Sequence, residues 1–442
     1  MNFTSLFRCL PCLFLATILF SGLPIFGQIA SFENAPINYQ TAEVNDPVAG
    51  LIKQLESGDA QLEYDQKYGY LKSVLEHLEV PISSQTLVFS KTSLQVHRIS
   101  PARPRAVYFN DDIYIGYCQN GEVLEIGATD AKQGPTFYSV KQEESDSPII
   151  KRDQGQCIVC HASSRTQNVP GYLIRSVFPN RSGHPNFGSG TYTTDSTSPF
   201  RQRWGGWYVT GTHGDLRHMG NKVYAEDERN DQLEEGANQM SLEEFVSTKP
   251  YLSAHSDLVA LMVMEHQTQM HNAITYANFE TRQALHQSFE MNKILKRETG
   301  FVSESAQRRI KSATERVVEH LLMCDEFALS SPVAGSGKFT AEFEAKGMRD
   351  SKQRSLREFD LKTRMFRYPC SYLIYSPAFD GLPNEVRIPI VRRLVQVLEG
   401  RDDSDRYDHL SAQTKTAILE ILKETKPELA SLSADSQVPN FP

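Results

Sequence analysis

The spacing of apolar residues changes between two regions of the N-terminal half. From 47 to 80 apolar side chains recur every three or four residues, which predicts helices. From 86 to 140 the chain instead has short runs rich in β-branched and aromatic residues, namely TLVFS, RAVYF, DIYIGYC, EVLEIGA and TFYSV. QNG at 119–121 lies between two of these runs and is typical of a hairpin turn. We expect a small antiparallel sheet preceded by helices.

The chain after the predicted sheet has a different pattern. Residues 162–222 are rich in Gly, Pro, Ser, Thr and Asn and predict long loops. Helical spacing follows from about 241 to 329, starting at Ser241 with Glu244 at capping-box distance. The pattern therefore predicts an α+β protein, mainly α, with a small antiparallel β-containing N-terminal module, a loop-rich segment and a helical C-terminal part.

Further helices are expected near 351, at 385–399 and at 411–424. At 442 residues, the chain is long enough for two or three domains. The composition changes suggest five segments: a signal peptide (1–30), an α/β N-terminal module (31–148), a loop-rich segment (149–240), a helical region (241–330) and a C-terminal helical region (331–442).

The first thirty residues have the layout of a secretory signal peptide. Arg8 precedes an apolar stretch from Cys9 to about Phe26, and the small residues Gly27 and Ala30 follow. We expect export to the periplasm or another compartment outside the cytoplasm, with cleavage after Gly27 or Ala30. A retained N-terminal anchor is the alternative. No later stretch reaches the roughly 20 apolar residues that a membrane span requires.

Charge and cysteine content narrow the function classes. The net charge is −8, so the chain has no electrostatic signature of nucleic-acid binding. Five cysteines follow the signal peptide, and the scattered Cys118, Cys324 and Cys370 do not form a dense disulfide framework. Their pairing does not follow from the sequence.

The remaining two cysteines belong to the string QCIVCHAS, in which Cys157, Cys160 and His161 have the order C-x-x-C-H. With 7 cysteines and 12 histidines in 442 residues, chance would produce this string roughly 0.003 times per chain. In haem attachment, the two thiols add to the haem vinyl groups and the histidine becomes the proximal iron ligand. An export signal and this motif support each other, because covalent haem is attached outside the cytoplasm.

Two other interpretations of the motif stay open. A structural zinc site needs four ligands, and His213 and His218 could supply the missing two. A redox dithiol normally lies at the start of a helix after a strand in a βαβ unit, whereas a charged, proline-containing segment precedes Cys157.

Longer segments carry a resemblance to a family. They are PRAVYFNDDIYIGYCQNGEVLEIGA, CIVCHASSRTQNVPGYLIRSVFP, RWGGWYVTGTHGDLRHMGN, IVRRLVQVLEG and AILEILKETKPEL. With the C-x-x-C-H motif, they make the chain similar to large exported cytochrome c domain-containing proteins of planctomycete-type bacteria. The resemblance implies one covalently bound haem c, electron transfer and a redox partner protein. It implies nothing about a substrate.

The second axial ligand of such a haem would decide its chemistry. Met219 or His218 is the first candidate, because both lie in the glycine-rich segment 204–221, and His213 in the same segment is a weaker one. His266 and His271, in a segment with helical spacing, are further weaker candidates. A second protein ligand is typical of an electron carrier. An open or displaceable sixth position would instead favour a haem enzyme of peroxidase or gas-binding type.

Arg203 and Arg217 are candidates for pairing with the haem propionates. Three functions therefore remain at the level of sequence: an exported electron-transfer cytochrome, a haem enzyme, and a zinc-binding structural module.

Overall fold

The computed structural model describes residues 31–225, 234–429 and 431. The predicted signal peptide lies outside these residues. The predicted fold class is confirmed: helices make up 36% and strands 14%, with an antiparallel sheet in the N-terminal half and helices in the C-terminal part. No helix in the described ranges is long and apolar enough to cross a membrane.

The elements of the described chain follow in order. The helices are α1 (Pro47–Ser57), α2 (Leu71–His77), α3 (Ile158–His161), α4 (Leu258–Leu295), α5 (Glu304–Leu321), α6 (Phe339–Ala345), α7 (Pro377–Asp380), α8 (Asn384–Leu398) and α9 (Ala412–Thr425). The strands are β1 (Thr86–Val88), β2 (Arg105–Phe109), β3 (Ile113–Tyr117), β4 (Val123–Asp130), β5 (Gly134–Lys141), β6 (Ile150–Arg152), β7 (Arg175–Val177), β8 (Thr191–Thr193), β9 (Trp207–Tyr208), β10 (Gly211–Thr212) and β11 (Ala334–Gly335).

The main sheet has seven antiparallel strands in the order β6-β5-β4-β3-β2-β1-β9. Strands β1 to β5 coincide with the five apolar runs of the sequence, and the turn at QNG joins β3 to β4. The last strand in the order, β9, was not predicted. It comes from the loop-rich segment and pairs with β1, which brings residues near 207 next to the N-terminal module.

Both faces of this sheet are covered. Because side chains alternate along a strand, Leu124 and Ile126 of β4 point to one face, where they pack with Leu51 of α1 and Val74 of α2. Phe137 of β5 points to the other face and joins the core around α4. The sheet is therefore a middle layer between α1 and α2 on one side and α4 on the other.

Helix α4 starts later than the sequence predicted. Residues 241–257, including Ser241 and Glu244, are turns and irregular chain, and Pro250 within them interrupts helical hydrogen bonding. The helix begins after Asp257, whose carboxylate accepts hydrogen bonds from the amides of Val259 (2.9 Å) and Ala260 (3.2 Å). It then runs for 38 residues and forms an antiparallel hairpin with α5.

The C-terminal part packs onto this hairpin. Helices α8 and α9 agree with the predictions at 385–399 and 411–424, but the helix expected near 351 is absent from the described chain, where α6 ends at Ala345. One apolar core takes side chains from all four segments after the signal peptide, for example Phe137, Trp204, Leu261 and Val391. The five described cysteines are free thiols, and those at 118, 324 and 370 are buried.

Candidate functional site

The C-x-x-C-H string folds as a single helical turn at the end of a strand. After β6, the carboxylate of Asp153 accepts hydrogen bonds from the amides of Gly155 (2.9 Å) and Cys157 (3.0 Å), which orders the chain just before the motif. The amides of Cys160 (3.1 Å) and His161 (2.9 Å) then donate to the carbonyl of Cys157. Since residues three apart lie on one side of a helix, this turn places the two cysteines on the same side.

The imidazole of His161 has one nitrogen in a hydrogen bond and one without. Its Nδ1 lies 2.8 Å from the carbonyl oxygen of Gly171, and a carbonyl only accepts, so Nδ1 carries the proton. The amide of Gly171 donates in turn to the His161 carbonyl (2.7 Å), and the ring packs on Phe137 at 4.7 Å between centroids. Nε2 makes no hydrogen bond with any described residue, so its lone pair is available to a metal ion.

The surroundings keep His161 and Cys157 uncharged. Burial lowers the pKa of His161, so the ring stays neutral near pH 7. Burial, together with the charges of Asp153 and Glu125, raises the pKa of Cys157 to about 12. A catalytic dithiol depends on a lowered thiol pKa, so Cys157 does not fit that interpretation. Cys160 is exposed.

The donor set around the motif does not fit zinc. Within the described ranges, no group of three or more His, Cys, Asp or Glu side chains is arranged to hold a metal ion. His213 and His218 contact each other, with ring centroids 4.8 Å apart, but no hydrogen bond joins either of them to a motif residue. Four zinc ligands are thus not assembled here.

The two first candidates for the second axial ligand are fully buried. The Met219 sulfur accepts a hydrogen bond from the Ser176 hydroxyl at 3.7 Å, and its side chain packs with Phe178 and Tyr224. His218 Nδ1 accepts from the Gly220 amide at 3.0 Å, so the proton of the neutral ring is on Nε2. That Nε2 has no partner in the described structure, but as a protonated nitrogen it cannot donate a lone pair to iron.

The weaker candidates use one or both of their ring nitrogens in hydrogen bonds. His213 Nδ1 donates to the Leu216 carbonyl (2.6 Å), and its Nε2 accepts from the Asn238 amide (2.9 Å). In α4, His266 Nε2 is hydrogen-bonded to the Ser371 hydroxyl (2.8 Å). His271 Nε2 donates to the Asp111 carbonyl (2.8 Å), so its Nδ1 is unprotonated, and this nitrogen has no hydrogen-bond partner in the described chain. No hydrogen bond links any of the five candidates to His161 in the part of the chain that is described.

Arg203 and Arg217, the predicted propionate partners, already pair with carboxylates. Arg203 Nη1 lies 3.0 Å from Glu265 Oε2 in a buried ion pair, and Arg217 Nη2 lies 2.7 Å from Glu234 Oε2. Neither is therefore free to neutralise a propionate without losing its present partner.

A second pair of arginines lies beside the motif. Burial and then the charge of Arg165 lower the pKa of Arg175, while Cys160 acts on the same guanidinium in the opposite direction. Arg165 and Arg175 make no ion pair with a described carboxylate, and Nε of Arg175 is buried without a partner. Two neighbouring positive charges without a counter-charge favour an anionic ligand.

A third arginine faces the motif from the sheet. Arg105 pairs with Glu125 across Gly116, with 2.6 Å between Nη2 and Oε2, and its Nε is also buried without a partner. By strand register, Glu125 lies on the same sheet face as Phe137, which contacts His161. Sequence reasoning missed Arg105 and Arg175, because only strand register and the return of the chain at 171–177 bring them to the motif. It also missed Arg165, although this residue lies only four positions after His161.

These residues fit a covalently held haem on the proximal side. Two thiols lie on one side of a turn, an oriented neutral imidazole has a free Nε2, and Arg165 and Arg175 nearby make no ion pair with a described carboxylate. The chain matches no protein-family model, no curated protein and no solved structure.

Proposed function

We propose that the chain is an exported c-type cytochrome with one haem, attached through Cys157 and Cys160, with His161 as the proximal iron ligand. It would exchange single electrons with a protein partner outside the cytoplasm. The proposal follows the resemblance to exported cytochrome c domain-containing proteins. The hydrogen bond from His161 Nδ1 to the Gly171 carbonyl carries it, because this bond orients the ring and leaves Nε2 for the metal.

A bound haem would supply the one-electron change at its iron. The residues of the chain would attach the haem and set the charge around it. Each thiol would add across one vinyl group, with a carbon–sulfur bond formed and the thiol hydrogen transferred to the other vinyl carbon, so that no atom is lost. The raised pKa of Cys157 agrees with a thiol that is protonated before attachment. Arg175 and Arg165, which lie near Cys160, would place positive charge close to the bound group.

The state of two distal candidates is the reason to test a second function for the same haem. His213 and His218 have no unprotonated ring nitrogen free, whereas His271 keeps an unpartnered Nδ1 and the Met219 sulfur accepts only the Ser176 hydroxyl. An iron without a second protein ligand would bind peroxide or a gas, as in a haem enzyme. Cyanide titration distinguishes the electron carrier from the haem enzyme. A six-coordinate electron carrier does not bind cyanide at modest concentration, whereas an iron with an open site binds it with a shift of the Soret band.

Covalent attachment is the first test. The protein is expressed with a cytochrome c maturation system, and a denaturing gel is stained for haem. We expect haem to migrate with the wild-type polypeptide and with Cys118→Ala, which removes a buried thiol outside the motif. We expect none with the double variant Cys157→Ser and Cys160→Ser. A colourless wild-type band, or a double variant that keeps its haem, would contradict the proposal.

A further inference from the structure

The turn between α4 and α5 exposes an unusual number of apolar side chains. We call residues 289–301 the hairpin tip. Its exposed apolar residues are Phe289 (37%), Met291 (48%), Ile294 (72%), Leu295 (50%) and Phe301 (46%). Single exposed apolar residues are ordinary, but a cluster of this kind marks an interaction surface.

The tip is held in this exposed arrangement by hydrogen bonds. Two polar side chains on the inner face of α4, Ser288 (3.2 Å) and Asn292 (2.6 Å), donate to the carbonyl of Phe301, and the Ser303 amide donates to the Ser288 hydroxyl (2.9 Å). Met291, Ile294 and Leu295 are spaced three and four apart, so they share one helix face. The exposed surface is thus a built feature of the hairpin.

The charge of the tip differs from that of the molecule. Lys293 pairs with Glu290 at 2.7 Å, which leaves Lys296, Arg297 and Glu298 without an ion pair among the described residues. The Arg297 guanidinium lies 5.2 Å above the Phe301 ring, so charge and apolar surface are adjacent. The tip has three basic and two acidic side chains, whereas the whole chain carries −8.

The N-terminus of the described chain lies on the same helix. Ser31 Oγ is 3.5 Å from Gln283 Nε2 on α4, and Phe32 packs against Phe279 at 6.3 Å between ring centroids. Ile294 is eleven residues beyond Gln283, about 16 Å along the helix axis. The described chain therefore begins on the same helix that carries the apolar tip.

We propose that the hairpin tip attaches the protein to the surface of a bilayer that contains anionic phospholipid. Phe289, Met291, Ile294 and Leu295 would enter the boundary between headgroups and acyl chains, while Lys296 and Arg297 contact lipid phosphates. A second copy is a poorer occupant, because a two-fold interface would bring the same basic pair opposite itself. The inference is independent of the haem proposal.

Vesicle flotation tests it, using processed protein recovered from the exported fraction with its N-terminus identified by mass spectrometry. The vesicles are phosphatidylcholine with and without one-third phosphatidylglycerol. We expect the wild type to float with the anionic vesicles. The double variant Ile294→Asp and Leu295→Asp should lose at least about tenfold in partitioning. The control, Leu94→Asp and Met348→Asp, makes the same charge change at exposed apolar sites outside the tip and should bind as the wild type does.

Two further measurements separate loss of membrane binding from loss of folding and test the role of charge. The unfolding temperature of the tip variant should stay within a few degrees of the wild-type value, since Ile294 is 72% and Leu295 50% exposed in the folded protein. Raising the salt from 0.1 to 0.5 M should weaken binding through Lys296 and Arg297. The proposal is overturned if the wild type stays with the soluble fraction, if the tip variant floats undiminished, or if sedimentation shows a tip-dependent dimer without vesicle binding.

Discussion

The carbonyl of Gly171 decides what the imidazole of His161 can do. By accepting the Nδ1 proton it selects the tautomer whose Nε2 lone pair is free. The opposite situation holds at His218, where the Gly220 amide occupies Nδ1 and forces the proton onto Nε2. The residue type is the same in both cases, and the backbone group next to it determines whether the ring can be a ligand.

A prediction at the scale of a single residue concerns the effect of Arg175 on the reduction potential. If a haem is attached beside Arg175, Arg175→Gln removes a nearby positive charge and destabilises the reduced state relative to the oxidised state, because the reduced iron carries one positive charge less. We expect the reduction potential of the haem-loaded protein to fall by roughly 30–60 mV, which corresponds to a three- to tenfold change in the equilibrium constant. Spectroelectrochemical titration measures it.

Arg217→Gln is the matched control, because that guanidinium is already neutralised by Glu234. The reduction potential of this variant should stay within about 10 mV of the wild-type value. Equal shifts in the two variants would argue against a specific effect of Arg175 on the haem while leaving haem attachment itself untouched.

Helix α4 is the element that joins the parts of the molecule. It packs against the sheet, pairs with α5 and contacts the C-terminal helices. Its start is fixed by Asp257, which is fully buried and also accepts a hydrogen bond from the Gly337 amide at 2.8 Å. One carboxylate thus caps the helix and attaches the chain that leads into α6.

We therefore predict that Asp257→Ala lowers the free energy of unfolding by about 2 kcal/mol or more, since a buried cap and a second amide both lose their acceptor. Urea denaturation followed by circular dichroism measures it. Ser411→Ala is the comparison. The exposed Ser411 hydroxyl caps α9 and accepts a hydrogen bond from one amide, that of Thr414, so its removal should lower the free energy of unfolding by about 1 kcal/mol or less. Equal losses would show that the Gly337 contact adds nothing.

At the scale of the whole molecule, burial of titratable groups makes folding depend on pH. Burial lowers the pKa of His266 to about 3 and that of His271 to about 4. Their unfolded-state pKa is near 6.5, so the unfolded chain takes up protons first as the pH falls. The stability tied to His271 is complete above pH 6.5 and is lost between about 6.5 and 4. Asp112, Glu265 and Glu326 act oppositely, because burial raises their pKa to about 7.

A comparison of variants isolates the contribution of His271 to the pH dependence of stability. His271→Gln keeps a donor for the Asp111 carbonyl but does not titrate. Relative to this variant, the wild type should lose roughly 1.4 kcal/mol of unfolding free energy for each pH unit below 6.5. Denaturant unfolding at pH 7.0, 6.0 and 5.0 checks this. The control is His77→Gln, at an exposed site, whose plot of unfolding free energy against pH should be parallel to that of the wild type. A parallel plot for His271→Gln as well would contradict the prediction.

Local pattern determined much of this protein. The alternating runs at 86–140 identified five strands, and three- and four-residue spacing identified α1, α2, α8 and α9, because these signals depend on neighbours in sequence. The C-x-x-C-H string was visible for the same reason. The predicted start of α4 was wrong by 17 residues, because Asp257 acts as a cap only when the folded chain holds its carboxylate against the first amides of the helix.

Only the tertiary structure decided what surrounds the motif. The addition of β9 to the sheet, the acceptor of the His161 proton and the position of Arg105 depend on contacts between residues 10 to more than 100 positions apart. The same holds for the distal histidines, whose hydrogen-bond partners are mostly backbone groups that a sequence does not reveal. Sequence spacing specified which side chains form a turn, whereas packing specified which nitrogen of each ring remains free.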